Sequence, residues 1–463
     1  MTRDKARIWG WMFFDWAQQP YATLGLTFVF GPYFAAVAAG YFASTGLEQG
    51  LADARAQSLW TLGQTISGLI VAVTAPFLGA WADASGRKIP WISGLSVIYV
   101  LCSAGLWFLM PDGQNLYLVL VLFAVGLFAM ESSINITNAI LPSLGDSKTV
   151  AKVSGSGAAF GYWGGVIALA LVLLFLAEGE TGRTLIGLAP AFGLDPALRE
   201  GTRFTGPFIA LWYLVFIIPF FLWVREPKAA ATRRPGLREI MSDLAATVRG
   251  LKGRTSLQAF LMSSMLYRDA MNGIYAVGGV YAVLVLGWSI ISVGIFGIVG
   301  AITAAVASWA GGKADARFGP KPVILASIWI LIAVAAFVVG MSRDSLFGLP
   351  LPEGSVIPDV IFYLCGAAIG GAGGTIYSAS RTLVVRHADP AKPGEAFGLF
   401  GLTGKATAFL APALVTLATT ISGSVQVGMT PVIALFLIGL FLLRYVHPDG
   451  DRTAWSDRLP PSP

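Results

Sequence analysis

Asp15, Glu131, Arg268, Asp269, Arg381 and Lys405 each lie within, or at the end of, a run of apolar residues long enough to cross a bilayer. A charge at the bilayer centre costs about 2.5–3.5 kcal/mol on insertion scales, so such residues normally face a cavity or a partner. Their neighbours are placed at helical spacing. Glu131, Asn135 and Asn138 share one helix face, as do Arg268, Asn272 and Tyr275, and Tyr377 lies one turn from Arg381. The planar fork of an arginine binds a carboxylate through two parallel hydrogen bonds and stays charged when buried. Arg268 therefore suits a carboxylate-bearing solute, while Asp269, Asp15 or Glu131 suits an ammonium group, with the asparagines and Tyr275 as neutral donors and Trp163, Phe160 or Tyr377 as an apolar wall. A carboxylate in such surroundings can also load and release a proton, which makes Asp15 and Glu131 candidates for proton coupling. The competing arrangement is a permanent ion pair joining Arg268 to Asp269, Glu131 or Asp15. Lys405 fits either a cavity role or a pair with an acid such as Glu131.

The elements that must hold these groups follow from composition. With 56% hydrophobic and 12% charged residues, and a mean hydropathy of +0.71, the chain is far more apolar than a soluble globular protein. Runs of about 20 apolar residues fall at 11–42, 58–82, 90–110, 116–141, 153–177, 205–224, 257–286, 289–311, 322–342, 358–380, 395–420 and 427–446, which predicts twelve membrane-spanning helices. The first run is too long for a signal-peptide core and carries Asp15, Gln18 and Gln19, so it reads as a retained helix facing a water-filled pathway. Basic residues concentrate in alternate loops, including eight between Arg225 and Arg254, and this places both termini in the cytoplasm. The same asymmetry accounts for the net charge of +6 without a nucleic-acid partner. The predicted division is a bundle over 1–224, a basic linker over 225–256 with a short amphipathic helix near 237–251, a second bundle over 257–447, and a tail over 448–463.

Cys102 and Cys365 stand alone in apolar runs and read as small packing residues, and His387 and His447 lack ligand-spaced neighbours, so no metal is expected. Nucleophile and phosphate-loop motifs are missing from the sequence, which argues against an enzyme and against a cofactor.

Two loops repeat across the halves. "GAWADASGRK" (Gly79 to Lys88) closes the second span and "GGKADARFGPK" (Gly311 to Lys321) closes the eighth, each with a glycine four residues before an aspartate. Glycine lets a neighbouring helix come close, and Asp83 is placed to accept hydrogen bonds from a facing helix N-terminus, with Gly86, Arg87 and Lys88 completing the turn at the surface. The second copy, around Asp315, has four residues rather than three before its glycine and Pro320 where a base stands in the first, so its latch is expected to be weaker.

The first loop closely resembles the loop motif of the major facilitator superfamily. "FFDWAQQPYAT", "NAILPSLG", "VSGSGAAFGYWGG", "LYRDAMNGIYAVGGVYA", "YSASRTLVVRHADP" and "FGLFGLTGKATAFLAP" together resemble its vacuole effluxer-like branch, whose best-known fungal member is associated with amino-acid release. The resemblance implies an all-α fold of two pseudo-symmetric six-helix bundles, most simply a monomer in a bacterial inner membrane. Helices 1, 4, 7 and 10 of that fold line the central cavity, and they are the helices that carry Asp15, Glu131, Arg268 with Asp269, and Arg381. It further implies secondary active transport of a small solute such as an amino acid by alternating access, in the efflux direction and coupled to protons. The alternatives are a uniporter of an anionic metabolite and a non-transporting assembly or receptor protein on the same fold.

Overall fold

The computed structural model describes residues 2–226, 242, 249 and 251–451, apart from 180, 289 and 423. The expected amphipathic helix near 237–251 and most of the linker and tail lie outside the described residues.

Among the described residues, eleven helices combine the length and apolarity needed to cross a membrane. They are Arg3–Ser44, Ser58–Ala84, Ile89–Phe108, Leu116–Asn138, Ser147–Phe175, Glu200–Trp223, Ile295–Phe318, Pro320–Gly340, Ile357–His387, Pro393–Thr419 and Gln426–Tyr445. A further helix, Thr255–Leu284, takes the seventh place in the order. It is long enough to span but carries Arg268, Asp269 and Asn272, which lower its hydropathy, so polarity rather than length sets it apart. The helices are numbered below by place in this series of twelve.

Local chemistry explains several helix ends. Pro90, Pro320, Pro358, Pro393 and Pro431 sit in the first turns of their helices, where a missing N–H costs nothing. Pro20 instead lies at the end of an α-helical stretch, Arg3–Pro20, and the chain continues through a π-helical segment, Tyr21–Phe28, before Phe30–Ser44. Proline cannot donate to the preceding turn, so the wider hydrogen-bonding pattern begins where the α ladder is broken.

The internal contacts divide the chain into two compact units. The first comprises 1–74, 86–137 and 160–232. Its centre is aromatic: Tyr21 donates to the Phe123 carbonyl at 2.6 Å, Trp60 packs on Phe123 at 4.3 Å, and Tyr99 on Tyr213 at 4.3 Å. Glu226 accepts from the N–H groups of Lys88 and Ile89 at 2.5 and 3.1 Å, supplying the anion that the start of the third helix lacks.

The second unit comprises 75–85, 138–159 and 233–463. The C-terminal end of the second helix, the loop after the fourth and the first half of the fifth thus pack with C-terminal residues, so the unit boundary does not follow the linker alone. Its core runs through Phe260, Ile324, Ile328, Phe362 and Phe400. The end of the described chain is strapped onto this unit. Arg254 Nε donates to Asp451 at 2.7 Å, Lys321 to the Val446 carbonyl at 2.7 Å, and Arg386 to the Pro448 carbonyl at 2.9 Å.

Within the second unit the fifth and eighth helices touch backbone to backbone. A Cβ on Gly155 would lie 2.5 Å from both Gly312 Cα and the Ser308 carbonyl oxygen. Gly155→Ala should therefore destabilise the purified protein by about 1–3 kcal/mol, the usual cost of overpacking. Gly40→Ala, which meets nothing within 4 Å, should not. Equal melting temperatures for the two variants in a detergent thermal-shift assay would contradict this crossing.

Candidate functional site

Two clusters of polar groups occupy the second unit. The first is a closed contact involving the loop after the second helix. Asp83 Oδ2 accepts the Glu395 N–H at 3.0 Å, at the start of the helix Pro393–Ala406. The backbones are pressed together: a Cβ on Gly79 would meet the Gly394 carbonyl oxygen at 2.2 Å, and one on Gly398 would meet Pro76 Cα at 2.7 Å. Gly86 turns the loop at φ +65°, a conformation that suits glycine, and Arg87 is left exposed.

Arg381 extends this contact. It is completely buried, with Nη2 donating to the Ser154 carbonyl at 2.6 Å, Nε to Ser154 Oγ at 3.2 Å and Nη1 to Asn138 Oδ1 at 3.4 Å. Its guanidinium lies 4.7 Å from the Tyr377 ring centre, and Ser154 Oγ donates to the Ser378 carbonyl at 2.8 Å. Arg381 and Asn138, both expected on a cavity wall, are thus brought together in a packed joint. The role of Ser154 was not legible, because "SGSG" reads as small-residue packing until its partner is known. Asp315, in the second loop copy, is also buried, at 1% exposure.

The second cluster is a cavity of about 130 Å³ lined by Arg268, Asn272, Tyr377, Ser380 and Lys405 on its polar side and by Met271, Ile376 and Phe400 on its apolar side. Arg268 is positioned by packing on two faces. Its guanidinium lies 4.4 Å from the Phe400 ring centre, Nη1 donates to the Phe400 carbonyl at 2.9 Å, and a Cβ on Gly404 would collide with Cζ at 2.2 Å. Ser380 Oγ is hydrogen-bonded to the Tyr267 hydroxyl at 2.7 Å. The structure thereby brings Lys405, which the sequence could not place, to the same cavity as Arg268.

Other expected residues lie elsewhere. Asp269 follows Arg268 but projects about 100° around the helix. It is buried at 1% exposure, accepts the Ala411 N–H through Oδ2 at 3.0 Å, and does not line the cavity. Tyr275 is 55% exposed, with a Cβ on Gly373 2.4 Å from its hydroxyl. In the first unit Asp15, expected to face a water-filled pathway, is 4% exposed, and Gly161 of the fifth helix packs against it, a Cβ there falling 3.1 Å from the Asp15 carbonyl oxygen. Glu131 and Asn135 are half-buried. Phe160 packs on Trp16 at 4.4 Å and Phe13 at 5.2 Å, an aromatic stack within the first unit rather than a wall of the cavity.

The series of long helices among the described residues, together with the likenesses that follow, identifies a major facilitator superfamily transporter. Solved structures agree on the fold. The E. coli fucose:proton symporter FucP matches with a TM-score of 0.64 at 15% identity, over 95% of this chain and 98% of that one. The proton:xylose symporter XylE matches with a TM-score of 0.68 at 11% identity, over 98% of each. The chain belongs to the family described as vacuole effluxer Atg22 like, whose model matches residues 3–454. It is 23% identical over 443 residues to the uncharacterized MFS-type transporter YxiO of Bacillus subtilis, covering 94% of both chains. It is 22% identical over 326 residues to autophagy-related protein 22 of Cryptococcus neoformans, covering 67% of this chain and 53% of that one.

The Asp83 contact yields a prediction. An anion at a helix N-terminus contributes about 1–2 kcal/mol when partly buried, roughly a five- to thirty-fold shift between two conformations. Asp83→Ala should slow substrate exchange in proteoliposomes several-fold while leaving ligand affinity within about twofold. Asp83→Asn, which keeps an acceptor oxygen, should fall between. A variant with weakened binding and normal exchange would show that the contact serves the binding site instead.

Proposed function

We propose that this protein is a secondary active transporter of small carboxylate-bearing solutes, and that the carboxylate docks on Arg268. The observation that carries this reading is the cavity in which a guanidinium, braced by Phe400 and Gly404, stands beside neutral donors and an apolar wall. A braced fork loses little freedom on binding, and a bidentate guanidinium–carboxylate pair is strong as well as directional. The Asp83 and Arg381 contacts supply the other requirement of alternating access, a joint that can be made and broken as the solute passes.

Proton coupling completes the proposal, carried by Asp15 and Glu131. Both are carboxylates within apolar helices, where a proton taken up neutralises a costly charge. FucP and XylE are described as proton symporters, which lends support by likeness of fold alone. The Lys/Arg asymmetry favours cytoplasmic termini, and the resemblance to an effluxer family favours export.

Two outcomes test this. In proteoliposomes preloaded with labelled succinate or leucine, Arg268→Ala should reduce release at least tenfold and Arg268→Lys should restore part of it, since a point charge keeps attraction but loses the two-pronged geometry. Release from Arg268→Ala at the wild-type rate would remove this arginine from the pathway. Separately, an imposed pH gradient should accelerate wild-type exchange but not that of Glu131→Gln combined with Asp15→Asn; full gradient response in the double variant would indicate a uniporter.

A further inference from the structure

A second, larger space lies apart from the Arg268 cavity. It is an open groove of about 540 Å³ between the eighth and ninth helices, completed by residues of the tenth. Small side chains create it: Ala310, Gly311 and Ala314 line the eighth helix and Ala326 the ninth. Its polar lining is Ser327 and Thr375, and both hydroxyls donate to backbone carbonyls, of Val323 at 2.9 Å and of Gly371 at 2.8 Å. The groove therefore offers apolar contact and shape, with little to hold a polar solute.

Its dimensions suit a hydrocarbon chain. From Ala307 to Phe318, both lining residues, the eighth helix rises roughly 16 Å, about one leaflet of a hydrocarbon core about 30 Å thick. Since a cavity of about 150 Å³ accommodates benzene, this volume takes on the order of twenty carbons.

One end of the groove is positively charged. Trp309, Lys313 and Arg317 follow one another by a helical turn, and all three are exposed. Lys313 Nζ stands 3.3 Å from the Trp309 ring centre, and the Arg317 guanidinium 5.1 Å from that of Phe318, which itself lines the groove. Neither cation is in an ion pair among the described residues. The acid of this helix, Asp315, lies two residues from each, about 200° around the axis, and is buried at 1% exposure. The first turn of the ninth helix carries no acid. An apolar trough one leaflet long, with a tryptophan and two unneutralised cations at its end, complements a molecule with a long chain and an anionic head.

We propose that this groove binds one acyl chain of an anionic phospholipid, whose phosphate is taken by Lys313 and Arg317. A zwitterionic headgroup would bring its own cation against the basic pair, so the site prefers a lipid with net negative charge.

Native mass spectrometry of the full-length protein in detergent tests this, by titration with phosphatidylglycerol, with phosphatidylcholine of the same chains and with glycerol 3-phosphate. The first phosphatidylglycerol should bind roughly thirtyfold more tightly than phosphatidylcholine, about fivefold for each basic residue near the headgroup. Lys313→Gln combined with Arg317→Gln should erase that preference. Lys148→Gln combined with Lys152→Gln, which removes the same charge from exposed positions elsewhere, should keep it. Ala310→Phe combined with Ala326→Phe, both at exposed positions, should weaken both lipids roughly tenfold, the loss expected when about two methylenes no longer fit. Preference surviving in the Lys313 and Arg317 variant, equal loss in the Lys148 and Lys152 variant, or unchanged lipid binding by the folded phenylalanine variant would each overturn the proposal. Glycerol 3-phosphate binding as tightly as phosphatidylglycerol would make this a free-phosphate site. A dimer lost on Ala310→Phe would assign the groove to a second copy of the chain, and either outcome would also overturn the proposal.

Discussion

The second unit is organised around one unfavourable fact, a fully buried guanidinium. Removing Arg381 from water would cost several kcal/mol unless its donors found acceptors, and the acceptors come from two other parts of the chain, Ser154 and Asn138. Satisfying the arginine therefore fixes where the segment 138–159 must lie. The Gly155–Gly312 approach lies beside this contact, Gly155 being the residue after Ser154, and it lets the fifth helix press against the eighth. A polar interaction thus sets the position and small residues make it sterically possible, as expected where burial of apolar surface does not drive helix association.

The cavity is built by a different principle. Arg268 is held against an aromatic face and a glycine backbone, so its orientation is set by shape and its charge is directed into the space lined by Lys405 and Tyr377. On the same helix Asp269 answers a local demand, the N–H of Ala411 near the start of the helix Leu410–Ser422. Adjacent residues of opposite charge, which in sequence look like a pair or like the two ends of a zwitterion site, serve separate purposes.

This separates what the sequence made legible from what it did not. The helices were readable because their length and apolarity are local properties; the seventh was recognised although its hydropathy is low, because its polar residues recur on one face. The geometry of Asp83 could be anticipated from a glycine at fixed distance and an acid near a helix end. The destination of Asp15 could not, because a residue packed against it, Gly161, lies 146 positions later. Asp269 and Arg381 failed to reach the cavity for a related reason: periodicity gives a helix face but not its neighbour, and one face of the tenth helix carries both a cavity residue, Tyr377, and a joint residue, Arg381. Lys405 had no periodic partner at all, and only the Arg268 contact with Gly404 reveals where it belongs.

The strap joining Arg254 to Asp451 has a consequence for biogenesis. Its partners are separated by 197 positions, so during synthesis the arginine enters the membrane region long before its aspartate exists. At translation rates of about 5–20 residues per second, the wait is on the order of 10–40 s, during which the seventh to twelfth helices assemble with one end unfastened. The last described residues then act as a closing stitch, because Arg254 meets Asp451 only after the final helix, Gln426–Tyr445, has been made.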